Sequence, residues 1–124
     1  MSRFMLLGVA LVLGAVHATP ARAVDVVDLY AEMSRNVAAF KQSYVGKPMT
    51  VTGVVSSMNM EVRPSTIGLA ERREGGGSTV LYCYISDADK RRIASIAIGK
   101  AATFSGTMAG VGPSGMWMQP CTFR

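Results

Sequence analysis

The chain has 124 residues, 49% apolar and 17% charged, with 13 glycines, two cysteines and a formal net charge of +5. This length holds one modest core, which excludes a multidomain enzyme, and the apolar share excludes a disordered chain. Arg3 and Arg22 carry part of the charge; from residue 24 onward 11 basic residues face 8 acidic ones, too even a balance to imply a polyanionic partner.

Met1-Ser2-Arg3 is a short basic start, and residues 4–16 form an apolar run that Thr19-Pro20 breaks. Ala21-Arg22-Ala23 places small residues where a signal peptidase reads them. The pattern predicts a cleaved signal peptide over 1–23 and a mature domain over 24–124, in the periplasm or secreted. A membrane span is excluded because the run falls short of the roughly 20 residues needed to cross a bilayer. No cysteine lies near the predicted cut, so the usual lipoprotein route is closed.

Residues 25–44 read as one helix, with Tyr30, Met33, Val37, Phe40 and Tyr44 as its apolar stripe. Asp25, Asp28 and Glu32 complement the helix dipole in its early turns, while Gly46 and Pro48 stop it. A β-branched strand follows over 49–58, and Gly53 inside it predicts a bend or bulge. Residues 66–69 form a weaker second strand. Residues 71–78, with Arg72-Arg73 and Gly75-Gly76-Gly77, read as a flexible connection. The third strand spans 79–85, with Leu81, Cys83 and Ile85 on one face and Val80, Tyr82 and Tyr84 on the other.

Ser86-Asp87-Ala88-Asp89 predicts a short helix with Ser86 as N-cap and Ile93, Ile96 and Ala97 on its buried side. Strands over 101–109 and 116–123 complete the chain. One internal echo stands out. The segment from Gly46-Lys47 to Gly53 is matched by that from Gly99-Lys100 to Gly106, so the chain twice leaves a helix and enters a strand that bends at a glycine.

The order is therefore a leading helix, then β-β-β-α-β-β: mainly β, a five-stranded OB-fold Greek-key barrel with an N-terminal helix and a short helix between strands 3 and 4. Asn36-Val37-Ala38-Ala39-Phe40, Tyr44-Val45-Gly46-Lys47, Val51-Thr52-Gly53-Val54-Val55, Tyr82-Cys83-Tyr84-Ile85-Ser86 and Cys121 carry a more specific likeness. With these residues the chain resembles the tRNA_anti-like family of exported bacterial OB-fold proteins over essentially the whole mature domain. The resemblance implies the fold; the family's name records a likeness to anticodon-binding domains and does not by itself imply a tRNA ligand.

Cys83 and Cys121 form an even pair, which in an oxidising compartment predicts a disulfide; the alternative is two buried free thiols. Such a bridge would close a loop of about 39 residues and stabilise by about 3–4 kcal/mol. The single histidine, His17, falls in the leader, so the mature chain lacks the commonest general base and metal ligand. That composition argues against an enzyme, and nothing in the sequence calls for a cofactor. Glu71 and Glu74 read as solvated loop residues rather than a mobile acidic pair.

An OB barrel takes ligands on the face of strands 2 and 3, flanked by the loops between strands 1–2 and 4–5. Tyr82 and Tyr84 are thus candidate stacking residues, or else pack beneath the leading helix, and Arg63, Arg72 and Arg73 are candidate contacts to phosphate or carboxylate. Lys90-Arg91-Arg92 reads as a solvated face. Met58 with Met60, and Met116 with Met118, place paired thioethers on extended segments, a soft set suited to Cu(I) or, more simply, barrel filling. The expectation is a non-catalytic exported module binding a peptide, glycan or nucleic acid; the alternatives are an assembly partner in an envelope complex and Cu(I) handling through the methionine pairs.

Overall fold

The structure, a computed structural model, describes residues 22–124. The predicted leader lies outside the described residues except for its last two positions, and His17 lies outside them entirely.

Two helices, not one, open the domain: α1 (Val26–Arg35) and α2 (Val37–Tyr44). The break is Asn36, whose backbone is extended and whose Oδ1 accepts the Ala39 N–H at 3.0 Å, making it the N-cap of a new helix. Asp25 caps α1 in the same way, accepting the Val27 N–H at 2.7 Å. The break also shifts the buried stripe. Val26, Leu29, Met33 and Phe40 face the core, whereas Tyr30 and Tyr44 are only half-buried and Val37 is exposed.

Five strands form the barrel: β1 (Pro48–Asn59), β2 (Ser65–Ala70), β3 (Thr79–Ile85), β4 (Ala101–Gly112) and β5 (Gly115–Phe123). β1 pairs with β2, β2 with β3 and β4 with β5, all antiparallel; β3 and β5 are parallel, and β1 with β4 closes the ring. This is the OB-fold topology. A further two-residue strand, Val24–Asp25, lies parallel beside β1. The inward positions Val51, Ile67, Leu69, Leu81, Ile85, Phe104, Met108, Met116 and Met118 fill the interior. The Cys83–Cys121 disulfide joins β3 to β5, with the Cα atoms 5.6 Å apart.

Between β3 and β4 the chain makes two separate 3-10 turns, Asp87–Asp89 and Arg92–Ser95, in place of the predicted α-helix. Ser86 makes no side-chain cap, and Asp89, an acidic residue of the first turn as expected, has a further role. Its buried carboxylate accepts the Phe123 N–H at 2.7 Å and pairs with Arg92, tying the connection to β5. Ile93 is fully buried below it; Ile96 is half-buried and Ala97 exposed.

The Gly53 prediction is corrected as well. The β1–β2 irregularity falls between Val55 and Ser57, and Gly53 instead permits close approach: a Cβ there would collide with Val26 of α1. The internal echo, in contrast, is physical. β1 and β4 pair with Val51 opposite Phe104, so the two matched segments are each other's sheet partners, related by a local two-fold through that pair. Gly46 N–H donates to Met108 O and Gly99 N–H to Val55 O, both at 2.8 Å. Met108 N–H returns to Lys47 O at 3.1 Å, and Val55 N–H to Lys100 O at 2.9 Å. Lys47 N–H and Lys100 N–H donate to Tyr44 O and Ala97 O, each at 3.1 Å. Both corner glycines take positive φ, +85° and +88°.

Candidate ligand-binding face

Strand alternation decides which side chains of β3 reach the surface. Leu81, Cys83 and Ile85 point into the barrel and are buried, so Tyr82 and Tyr84 point out and are half-buried. Neither tyrosine belongs to the apolar core. Opposite them on β2 lie Gly68, paired with Tyr82, and Thr66, paired with Tyr84. On the other side Tyr82 neighbours Trp117 of β5, and the Trp117 ring lies over Gly110 of β4, where a Cβ would collide with it. Gly110 thus leaves room for the Trp117 ring, whereas Gly68 makes room for the Ser57 and Thr79 side chains.

A hollow of about 470 Å³ opens at the Tyr82 end of this face. Its walls come from Tyr30 on α1, Glu71 and Ser78 on the β2–β3 connection, Tyr82, and Pro113 and Ser114 on the β4–β5 turn. That volume falls in the range of small-ligand sites. The β2–β3 connection is more ordered than its glycines predict. Glu71 N–H donates to Ser78 O at 3.0 Å, and Glu71 Oε1 accepts the Ser78 N–H at 3.1 Å. Three successive glycines, Gly75 to Gly77, take positive φ and allow this closure; a Cβ on Gly77 would collide with the Glu71 side chain. Glu71 is therefore a fixed wall, and its carboxylate is aimed by the backbone.

The predicted cations divide among different places. Arg73 is held by Asp28 and by Asp25 Oδ2 (3.5 Å), so it fastens the β2–β3 connection to the start of α1. Arg72 is exposed in the same connection, beside Glu71 and Glu74 in sequence. Arg63 is exposed in the β1–β2 turn, beyond the Tyr84 end of the face. The structure brings Tyr82 and Tyr84 onto one surface, with Arg63 beyond one end and Arg72 and Arg73 in the connection at the other. Met116 and Met118 are fully buried, while Met58 and Met60 pack half-buried against the core, so the thioether pairs fill the barrel. Among the described residues no three His, Cys, Asp or Glu side chains gather as a metal site.

The sequence pattern puts Tyr30 in the helix stripe and by itself assigns Trp117 no part in the face. The signals for both were available: Tyr30 precedes the helix break, and Trp117 alternates with two buried methionines and so must face outward.

Topology and surface together define a small OB-fold barrel with an aromatic outer face and helices packed at one end. The chain belongs to the tRNA_anti-like family, whose model matches residues 10–122. No curated protein matches it. Among solved structures it is similar to a protein of Klebsiella pneumoniae subsp. pneumoniae MGH 78578 described as a "putative nucleic acid-binding lipoprotein". The TM-score is 0.65 at 16% identity, covering 84% of this chain and 92% of that one, a likeness of fold. It is similar also to the OBody AM3L15, solved bound to hen egg-white lysozyme, with a TM-score of 0.47 at 17% identity over 64% of this chain and 81% of that one.

Proposed function

We propose that this protein is an exported, non-catalytic binding module that takes an extended ligand along the outer face of β2 and β3. The single observation that carries this reading is the outward placement of Tyr82 and Tyr84. Half-exposed rings in a row, away from the core and leading into a hollow, are what a ligand-stacking surface requires. The leader pattern of residues 1–23 and the Cys83–Cys121 bridge support export to an oxidising compartment.

The test is the double variant Tyr82→Ala/Tyr84→Ala, assayed for ligand capture from an envelope extract and for its melting curve. Loss of capture with the melting temperature kept within a few degrees supports the reading. Loss of the fold instead would show the tyrosines to be structural, and undiminished capture would place binding elsewhere. The alternative, an assembly partner in an envelope complex, calls for a contiguous apolar patch. The large apolar residues exposed among those described, Val37 (44%), Val62 (42%) and Ile98 (63%), sit on α2, the β1–β2 turn and the β3–β4 connection. They belong to three separate elements, and none of them lines the hollow beside Tyr82.

A further inference from the structure

We infer that the ligand class of this face is an uncharged glycan, an inference that rests on the β2–β3 face being the binding surface. The electrostatics argue first. Affinity for a phosphate backbone comes from cations free to neutralise it. Here Arg73 is consumed by Asp25 and Asp28, and Arg72 shares its connection with Glu71 and Glu74. Glu71, fixed by the Ser78 N–H, stands in the wall of the hollow itself, where it would meet a phosphate with like charge. A nucleic acid lying along this track would lose more at Glu71 than the remaining Arg72 and the distant Arg63 return.

Main-chain pairing argues second. An extended peptide gains its affinity by adding a strand to an unpaired sheet edge. β2 is already paired to β1 and β3, and β3 to β2 and β5, so the ring of strands offers no free edge beneath Tyr82 and Tyr84.

What the face does present is ring surface with polar groups beside it. A pyranose is complementary to that combination, with C–H bonds across its flat sides and hydroxyls around its rim. Tyr82 and Tyr84, two residues apart on one strand and so about 7 Å from each other, give one chain two stacking points. Tyr30 extends the row into the hollow. There the Glu71 carboxylate accepts sugar hydroxyls, and the Ser78 and Ser114 hydroxyls donate or accept as needed. Because none of these contacts neutralises charge, binding should be nearly indifferent to salt.

Trp117, the single tryptophan, neighbours Tyr82 and supplies the readout. Its emission is followed during titration of the mature domain with a panel of neutral tetrasaccharides, including a β-1,4-linked N-acetylglucosamine tetramer and cellotetraose, and separately with a dT12 oligonucleotide. The expected result is saturable binding of a neutral tetrasaccharide that keeps its affinity between low and high salt. Tyr82→Ala should weaken it by about tenfold, and Glu71→Gln should weaken it by several-fold. Salt-sensitive binding of dT12 that Tyr82→Ala removes, with no neutral tetrasaccharide bound, overturns the glycan assignment and leaves the binding face standing. Binding of any probe that is indifferent to Tyr82→Ala, in a variant whose circular dichroism matches the parent, overturns the face and the glycan assignment together. Should Tyr82→Ala unfold, the uncharged Ser114→Leu, which fills the rim of the hollow from an exposed turn, replaces it under the same criteria.

Discussion

The Gly46-Lys47 and Gly99-Lys100 corners make the same hydrogen bonds to each other's strands, yet what leads into them differs. The first follows a side-chain-capped α-helix; the second follows 3-10 turns with no side-chain cap, held in place by Asp89. The corner geometry is therefore set by the glycine and by the strand that receives it, and the preceding segment only has to deliver the chain. One corner is positioned by local helix energetics, the other by long-range contacts: Ile93 buried in the core and Asp89 bonded to the Phe123 backbone. A duplicated joint with two different supports separates local from tertiary contributions within one small domain.

The sharpest way to break the equivalence is Asp89→Ala. It leaves the part-buried Phe123 N–H without its carboxylate partner and should destabilise the domain by about 1–2 kcal/mol. Hydrogen exchange should rise at the Gly99 amide well before it rises at the Gly46 amide; equal loss at both would show that the supports are not independent. Next in size are Gly46→Ala and Gly99→Ala. Nothing lies within 4 Å of a Cβ at either site, so each pays only for the left-handed backbone, about 1–2 kcal/mol. The two costs, read from denaturant midpoints, should agree within about 0.5 kcal/mol. Asn36→Ala removes the α2 cap for about 1 kcal/mol, and it should raise exchange at the Gly46 amide but not at the Gly99 amide.

The smallest effect concerns Tyr44, whose hydroxyl donates to Glu32 Oε2 at 2.8 Å across the helix break. That hydrogen bond, then burial, then the Glu32 charge raise its pKa above the ordinary value. A raised pKa in the folded state favours the protonated form. The contribution is thus complete below the unfolded pKa, near 10, and disappears as pH climbs through the folded value. Tyr44→Phe should cost under about 1 kcal/mol at neutral pH, and the difference from the parent protein should vanish in strongly alkaline buffer. A difference that persists there would assign the effect to packing on Phe40, whose ring centroid lies 4.6 Å from that of Tyr44.

How much of this was legible in the residues depends on the range of the interaction involved. Alternation along 79–85 separated Tyr82 and Tyr84 from Leu81, Cys83 and Ile85, because strand periodicity is local, but it left open whether the tyrosines meet solvent or the leading helix, and Val80, grouped with them, is buried in the core. The Gly-Lys echo was legible for the same reason, although its partnership across the sheet was not. The helix over 25–44 has the right ends but lacks its break, because Asn36 fits a helical stripe well enough until its capping bond to Ala39 is seen. Asp89 looked like a helix-start residue because its true partner is 34 positions away. Arg73 looked available for the same kind of reason: Asp25 and Asp28 reach it only once α1 lies against the β2–β3 connection. The hollow was invisible in sequence, since its walls come from four separate elements.

The bridge between Cys83 and Cys121 backs the seam that antiparallel pairing does not reinforce. β3 and β5 form the barrel's parallel join, somewhat weaker per residue than its neighbours, and the sulfurs rivet it from behind the tyrosines. Cleaving that rivet would let the sheet part along the line between Tyr82 and Trp117, so the proposed binding face would loosen before the barrel itself came apart.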